Sequence, residues 1–555
     1  MLRKELLKQA RGLEKAEKVF KNALIVDVFN ERLLERDIAI ADGIIIGVGD
    51  YQGKEEVDLA GRIVTPGLID AHLHIESSMT NVDEFARVII PRGTTTIVAD
   101  PHEIANVAGL TGIKYLLKAG NAQPWNFNLM LPSCVPASKF ENPGAVLSAD
   151  DLKTLIGEEG IFGLGEVMDF PSVINGDQGI WDKIEMASDL FKDGHAPGLS
   201  GSDLNAYLLA GIKADHEATT AAEALEKVSK GMYIMIREGS VTRDLVSLLP
   251  AVNSSNSSRF LFATDDRHPG DLIKEGHIDF AVRKAIQYGL SPLRAVKMAT
   301  INASEALGIK NLGAIAPGYK ADLLVFDNLR EFEVKKVYKD GRLVAEDGTL
   351  LKSIDDKISL DKEDFMSQQI EEKIFNSVKI GDISEKDFRL PPAKKYRAIE
   401  LIKDQVVTGE SVYHTEAEYD GEPPAIELIG HNLVKLAVVE RHHKTGNVGL
   451  GLLRNFGLRR GAIATSIGHD AHNIIVAGVG AKDMEIAVRE IEKMQGGLVI
   501  VVDSKVEESM ALPVAGLMAV KSVKEVSNRL NKMRELANSL GVNRDGPFMT
   551  LSFMA

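Results

Sequence analysis

Cysteine is nearly absent, with Cys134 standing alone among 555 residues. That excludes an intrachain disulfide and any metal cage built from several thiolates, and it fits a reducing compartment. Long apolar runs are missing as well. None approaches the ~20 residues that a membrane-spanning helix needs. Met1 to Lys18 is dense in Lys, Arg and Glu with leucines at helical spacing, and it has no continuous apolar stretch of the kind a secretory signal carries. We expect a surface helix there and a cytoplasmic protein. Excess positive charge is lacking too, since 65 Lys and Arg against 80 Asp and Glu give a formal net charge of -15. A broad nucleic-acid footprint needs a clustered basic surface. A small molecule therefore fits better as partner than nucleic acid or membrane.

What is present is the ordinary balance of a globular chain, 45% apolar and 26% charged, long enough for two or three domains. From Asn22 to Gly49 β-branched residues alternate with polar ones, and Gly and Asp fall at turn positions. The texture returns at Gly318 to Asp327 and Val337 to Val344, so a small composite β-sandwich domain is expected from residues 1–62 plus 310–350. Between these pieces short apolar runs alternate with helical stretches: 63–75, 94–100, 126–135, 161–167, 213–216, 233–236 and 260–265. Regular alternation points to parallel βα units of an α/β domain over residues 63–309, and about eight such units close a (β/α)8 barrel with functional groups after the strand ends. The run near His195 is too short to assign by pattern. A charged, aromatic-poor linker is expected at 351–382, and a C-terminal α+β domain at 383–555 with a strand from Gly497 and a helix near Lys482 to Met494.

The sharpest local signal is Gly67-Leu-Ile-Asp-Ala-His-Leu-His-Ile75. His72 and His74 are two apart at the end of a strand, so both imidazoles point one way and can reach one metal ion. Glu166 closes the apolar run Ile161-Phe-Gly-Leu-Gly-Glu. His195 lies in a Gly-Pro-rich turn, His216 follows Gly211-Ile-Lys-Ala-Asp, and Asp265 with Asp266 follows Phe260-Leu-Phe-Ala-Thr264. Singly, each of these also reads as a loop histidine or a capping acid. Their recurrence at strand ends favours a shared site.

This order of ligands resembles the amidohydrolase superfamily: His-x-His after the first barrel strand, a bridging acid after the fourth, histidines after the fifth and sixth, and Asp after the eighth. Many members bridge their ions with a carboxylated lysine. Glu166 stands there instead, as in the adenine deaminase branch. Ala99-Asp-Pro-His-Glu-Ile-Ala-Asn-Val107, Leu131-Pro-Ser-Cys-Val-Pro136, Gly165-Glu-Val-Met-Asp169, Asp265-Asp-Arg-His-Pro269 and Thr465-Ser-Ile-Gly-His-Asp-Ala-His-Asn473 are similar to that branch in particular.

The resemblance implies a further βα unit near His195, which completes the count of eight, and a homo-oligomer, a dimer. It also implies two divalent ions, Mn or Fe(II) with Zn also compatible, on His72, His74, Glu166, His195, His216 and Asp265. Such ions activate water for attack at C6 of adenine, giving hypoxanthine and ammonia in purine salvage. Asp265 is the expected proton shuttle and Asp266 the alternative, with Glu103 and His216 the other expected catalytic groups. His102 and Glu103, on the loop after the second strand, could protonate a ring nitrogen or add a metal site. Arg237, Glu238 and Ser240 are further candidate substrate contacts. His469, Asp470, His472 and Asn473 form a polar cluster expected to close the pocket. Another amidohydrolase acting on a cyclic amide or a different aminopurine is the alternative enzyme, and a scaffold that has lost its metals is the non-enzymatic one. The zinc deaminases that need two cysteine ligands are excluded by the single cysteine.

Overall fold

The computed structural model of the protein describes residues 4–358, 367–402, 407–416, 419–542, 544 and 546–554. The alternating segments at either end of the barrel hydrogen-bond as one nine-stranded sheet. Its central strand, Ala16–Asp27, pairs antiparallel with Arg32–Ala41 and parallel with both Gly53–Asp58 and Ile63–Pro66. Ile63–Pro66 in turn pairs with Leu323–Phe326 from the far side of the barrel sequence. Phe20, Ile25, Ile38, Ile45, Leu323 and Tyr338 fill the core of this sheet.

Two expectations change here. The N-terminal helix covers only Leu6–Ala10, because Gly12 turns the chain at φ +69° and the strand starts at Ala16. Ala16 and Val19 are buried there, so packing of the sheet overrides the helical spacing of the leucines. Residues 1–3 of that expectation lie outside the described residues. The apolar run 63–75 is likewise two strands, the first in the small sheet and the second in the barrel. Gly67 lies between them, where a β-carbon would meet Thr95 Oγ1 at 2.1 Å. Only a residue without a side chain lets the chain cross so close.

The barrel strands are β1 (Leu68–Leu73), β2 (Thr94–Ala99), β3 (Asn126–Leu131), β4 (Ile161–Val167), β5 (Phe191–Gly194), β6 (Ala214–Asp215), β7 (Tyr233–Arg237) and β8 (Phe260–Ala263). They run parallel in two ladders, β1 to β5 and β6 to β8. Backbone bonds close the ring, Lys213 N–H to Lys192 O at 3.1 Å and Asp265 N–H to His72 O at 3.0 Å. Helices and the other sheets cover the strands outside, which is why they read as near-continuous apolar runs. β5 is only four residues long, too short for a periodic signal.

The segment expected as a linker holds a helix, Lys352–Ile358, anchored by Arg87 Nε to Asp355 Oδ1 at 2.7 Å; residues 359–366 of it lie outside the described residues. Beyond it an eight-stranded sheet carries the helices Ala481–Met494 and Val523–Ser539. It docks on the barrel mouth through paired backbone bonds, Asn81 N–H to Ala519 O and Ala519 N–H to Met79 O.

The two loops after β5 and β6 are tied by one buried cation. Lys227 Nζ donates to Ala196 O, Asp215 Oδ2 and Glu223 Oε1 at 2.7–2.9 Å, and Asp215 accepts the Ala196 and Ala218 N–H groups. Lys227→Met should leave the Asp215 carboxylate buried without its counter-ion at a cost of about 3–5 kcal/mol, read as a lowered Tm. An unchanged Tm would show that the knot contributes nothing.

Candidate metal centre

Glu166 is placed by its backbone before its side chain acts. Its N–H donates to Asp100 Oδ2 at 2.9 Å, and the preceding Gly165 leaves space for that carboxylate, since a β-carbon there would meet Asp100 Oδ2 at 2.0 Å. Gly163 and Gly165 in β4 thus serve close approach. The two carboxylate oxygens of Glu166 then face opposite ways. Oε1 lies 3.1 Å from His74 Nε2, 3.4 Å from His102 Nδ1 and 3.7 Å from His72 Nε2. Oε2 lies 2.6 Å from His195 Nδ1 and 3.4 Å from His216 Nε2.

His72 and His74 bring their Nε2 atoms within 3.2 Å of each other, as alternate residues of one strand direction do. His74 Nδ1 pairs with Asp100 O at 3.0 Å, which aims its Nε2 inward. Asp265 Oδ1 completes this side at 3.3 Å from His74 Nε2 and 3.7 Å from His72 Nε2. It sits at φ +56°, a conformation Asp tolerates better than most residues. Arg237 Nη1 holds its other oxygen at 3.1 Å. Asp266 turns to Ser77, whose hydroxyl it accepts. His72, His74, Glu166, His216 and Asp265 are buried, while His195 is 31% exposed and marks the open side.

So many acids in a dry space require positive charge. Without an ion the histidines supply it. Burial disfavours the His72 imidazolium, yet the Asp193 and Asp265 carboxylates outweigh it and push the pKa up to about 10. His195 is raised to about 9 against the same penalty by Glu166. His74 is raised well above its usual value by Asp265 and Glu166, again against burial. Glu166 Oε1 has no hydrogen-bond partner despite its burial. His72, His74 and Glu166 on one side, and Glu166, His195 and His216 on the other, each bring donor atoms within 4.8 Å of one another. An all-imidazole and carboxylate set of this kind fits divalent ions of the Mn, Fe(II) and Zn class.

The sequence matches the amidohydrolase family over residues 63–344 and the adenine deaminase C-terminal domain over residues 405–555. It is 55% identical to an adenine deaminase of Petrotoga mobilis, covering 100% of this chain and 95% of that one. At 44% identity it is similar to adenine deaminase 2 of Carboxydothermus hydrogenoformans, with the same coverage of both chains. An adenine deaminase of Clostridium acetobutylicum is also 44% identical, over 99% of this chain and 95% of its own. The chain belongs to the adenine deaminase family. It is therefore a metal-dependent amidohydrolase, and among the described residues no helix is long and apolar enough to cross a membrane.

Of the residues singled out in the sequence, His72, His74, Glu166, His195, His216, Asp265 and His102 meet around one hollow. Glu103 lies at its C-terminal-domain side, accepting from His469 Nδ1 at 2.7 Å and pairing with His472 Nε2. Burial opposes ionisation of Glu103, but His469, His472 and His102 hold its carboxyl well below the usual range. Asp470 is 21% exposed beside His469, and Asn473 Nδ2 donates to Asn142 O. The three candidate substrate contacts at and after the end of β7 each hold a protein partner. Arg237 is occupied by Asp265, Glu217 and Asp244. Glu238 pairs with Lys284 at 2.5 Å, and Ser240 Oγ accepts the His268 N–H.

Sequence reasoning passed over Asp100, Asp193 and Glu217. Glu217 Oε1 is 3.6 Å from His216 Nε2 and 3.8 Å from His195 Nδ1. Its place directly after a candidate ligand was the available signal. Asp193 had one too, two residues before His195 on the same strand.

Because His72, His74 and His195 hold protons at neutral pH in the ion-free site, ions must displace them. Binding should release protons, roughly two or more per protein, and affinity should fall as pH falls from about 9 toward 6. Calorimetric titration of Mn2+ into metal-free protein, in buffers of different ionisation enthalpy, reads that number. Binding without proton release would contradict the assigned charge states.

Proposed function

We infer that the protein hydrolyses adenine to hypoxanthine and ammonia at two divalent ions held on either side of Glu166. The observation that carries the two-ion reading is the opposed facing of the Glu166 oxygens, Oε1 toward His72 and His74 and Oε2 toward His195 and His216. His72, His74, Asp265 and Glu166 would hold one ion, and His195, His216 and Glu166 the other. When bound, such ions lower the pKa of water from 15.7 toward about 7 and so supply a nucleophile at neutral pH. We favour manganese or iron.

Asp265 is the proton carrier. Its Oδ1 faces the histidine pair while Arg237 fixes Oδ2, so one oxygen stays aimed at the reacting centre. It accepts the proton released as water adds to C6 and returns it to the amino group, which leaves as ammonia. Asp266 is held by Ser77 on the rim and is the alternative carrier. Glu103, its carboxylate held by His469 and His472 from the C-terminal domain, is the group we assign to a ring nitrogen of the purine. That domain thereby closes the pocket and excludes bulk water from the attack. Free adenine turned into hypoxanthine is a salvage reaction, and we place the enzyme there.

Adenine, adenosine and other aminopurines, assayed with added Mn2+ under reducing conditions, should give ammonia from adenine; its absence with metal-loaded protein would overturn the reading. Glu166→Gln should keep the fold and lose both ions, because a neutral amide bridges two cations poorly. Asp265→Asn should lower kcat by about 10²–10⁴, and a normal kcat would move the carrier role to Asp266.

A further inference from the structure

Behind the histidine pair lies a carboxylate with no part in the ligand set. Asp193 is 1% exposed, and no Lys or Arg pairs with it among the described residues. Burying an unpaired carboxylate is costly, so its one strong partner carries the explanation. Asp193 Oδ2 lies 2.9 Å from His72 Nδ1, on the ring edge opposite the Nε2 that faces Glu166 and Asp265.

The carboxylate is not free to wander. Its Oδ1 accepts the Gly194 N–H at 2.8 Å. Gly194 itself packs so tightly on β6 that a β-carbon would meet Ala214 O at 2.4 Å. Tyr207 braces the same strand end, its hydroxyl donating to Val167 O at 2.6 Å and accepting the His195 N–H at 3.1 Å. The His72 ring in turn stacks on His216, with centroids 4.0 Å apart and planes at 16°. A constraint on one ring is thus passed to a ligand of the other ion.

We propose that Asp193 is a positioning residue for the metal centre: by accepting the Nδ1 proton of His72 it leaves the Nε2 lone pair directed at the ion and, through the stacked rings, holds His216 in register. A neutral imidazole has one donor and one acceptor nitrogen. A carboxylate on Nδ1–H selects the tautomer that binds metal through Nε2, fixes the ring plane and raises ligand basicity. In this reading Asp193 acts through the His72 ring, from the edge opposite Nε2. This rests on the two-ion reading above.

The test is Mn2+ binding to metal-free full-length protein, by calorimetry and by the Mn2+ concentration giving half-maximal adenine turnover. Asp193→Ala should weaken Mn2+ binding roughly 10- to 100-fold. Asp193→Asn, whose one carbonyl oxygen can accept from His72 Nδ1–H only by giving up the Gly194 N–H, should weaken it by about 3- to 10-fold. Both variants should recover most of kcat at saturating Mn2+, a rescue that a folding defect would not give. An Asp193→Ala affinity within about twofold of the parent would overturn the proposal. If the alanine variant does not fold, an Asp193→Asn affinity within about twofold of the parent would overturn it. A parent protein that binds no Mn2+ would instead refute the two-ion reading itself.

Discussion

The site depends on one carboxylate being presented edge-on between two sets of histidines. Glu166 can do this because its backbone is fixed from the side by Asp100, and because glycine at 165 lets that acid come so near. Once Glu166 is fixed, the spacing of the other groups follows from barrel geometry. Strand ends converge on one face, and each contributes the one or two side chains that its last inward positions allow. Electrostatics then demands a cation. Without one, the histidines must hold protons that burial disfavours, and the raised values of His72 and His195 are the sign of that tension.

A second constraint comes from outside the barrel. His469 and His472 reach Glu103 from the C-terminal domain, and His472 is itself held by a fully buried arginine. Arg441 donates to the carbonyls of His472 and Ala515 and has no carboxylate contact among its hydrogen bonds. Burial pushes its pKa down to about 9. A buried guanidinium whose hydrogen bonds go to two carbonyls and the Ser377 hydroxyl, with Glu440 supplying the opposing charge, is costly to assemble, which argues that the position of His472 matters. The candidate centre is thus built by two domains: the barrel supplies the histidines and Glu166, and the loop 466–473 of the C-terminal domain fixes Glu103 beside them.

Much of this was legible in the sequence, for physical reasons that differ by residue. His72 and His74 show themselves because alternation on a strand makes any His-x-His a shared-face pair. Glu166 shows itself because it closes an apolar run and recurs with other acids and histidines at strand ends, although alone it also reads as a capping acid. His195 stood out by its Gly-Pro-rich turn, but the strand before it came only from resemblance, since that strand has four residues and no period. Asp193, inside that same strand, offered only its place two residues before His195. Arg237, Glu238 and Ser240 were chosen by their place after β7, but position along a loop does not fix direction. Their side chains hold Asp265, Lys284 and the His268 backbone. The N-terminal leucines misled in the opposite way, because periodicity reports local preference and the long strand from Ala16 is stabilised by pairing with Arg32–Ala41, Gly53–Asp58 and Ile63–Pro66.

The central claim, that Glu166 stands between two ions, is tested most directly by anomalous diffraction at the manganese edge from crystals grown with Mn2+. The account predicts two separate peaks flanking the Glu166 carboxylate, one among His72, His74 and Asp265 and the other beside His195 and His216. A single peak, or a pair without Glu166 between them, would contradict it.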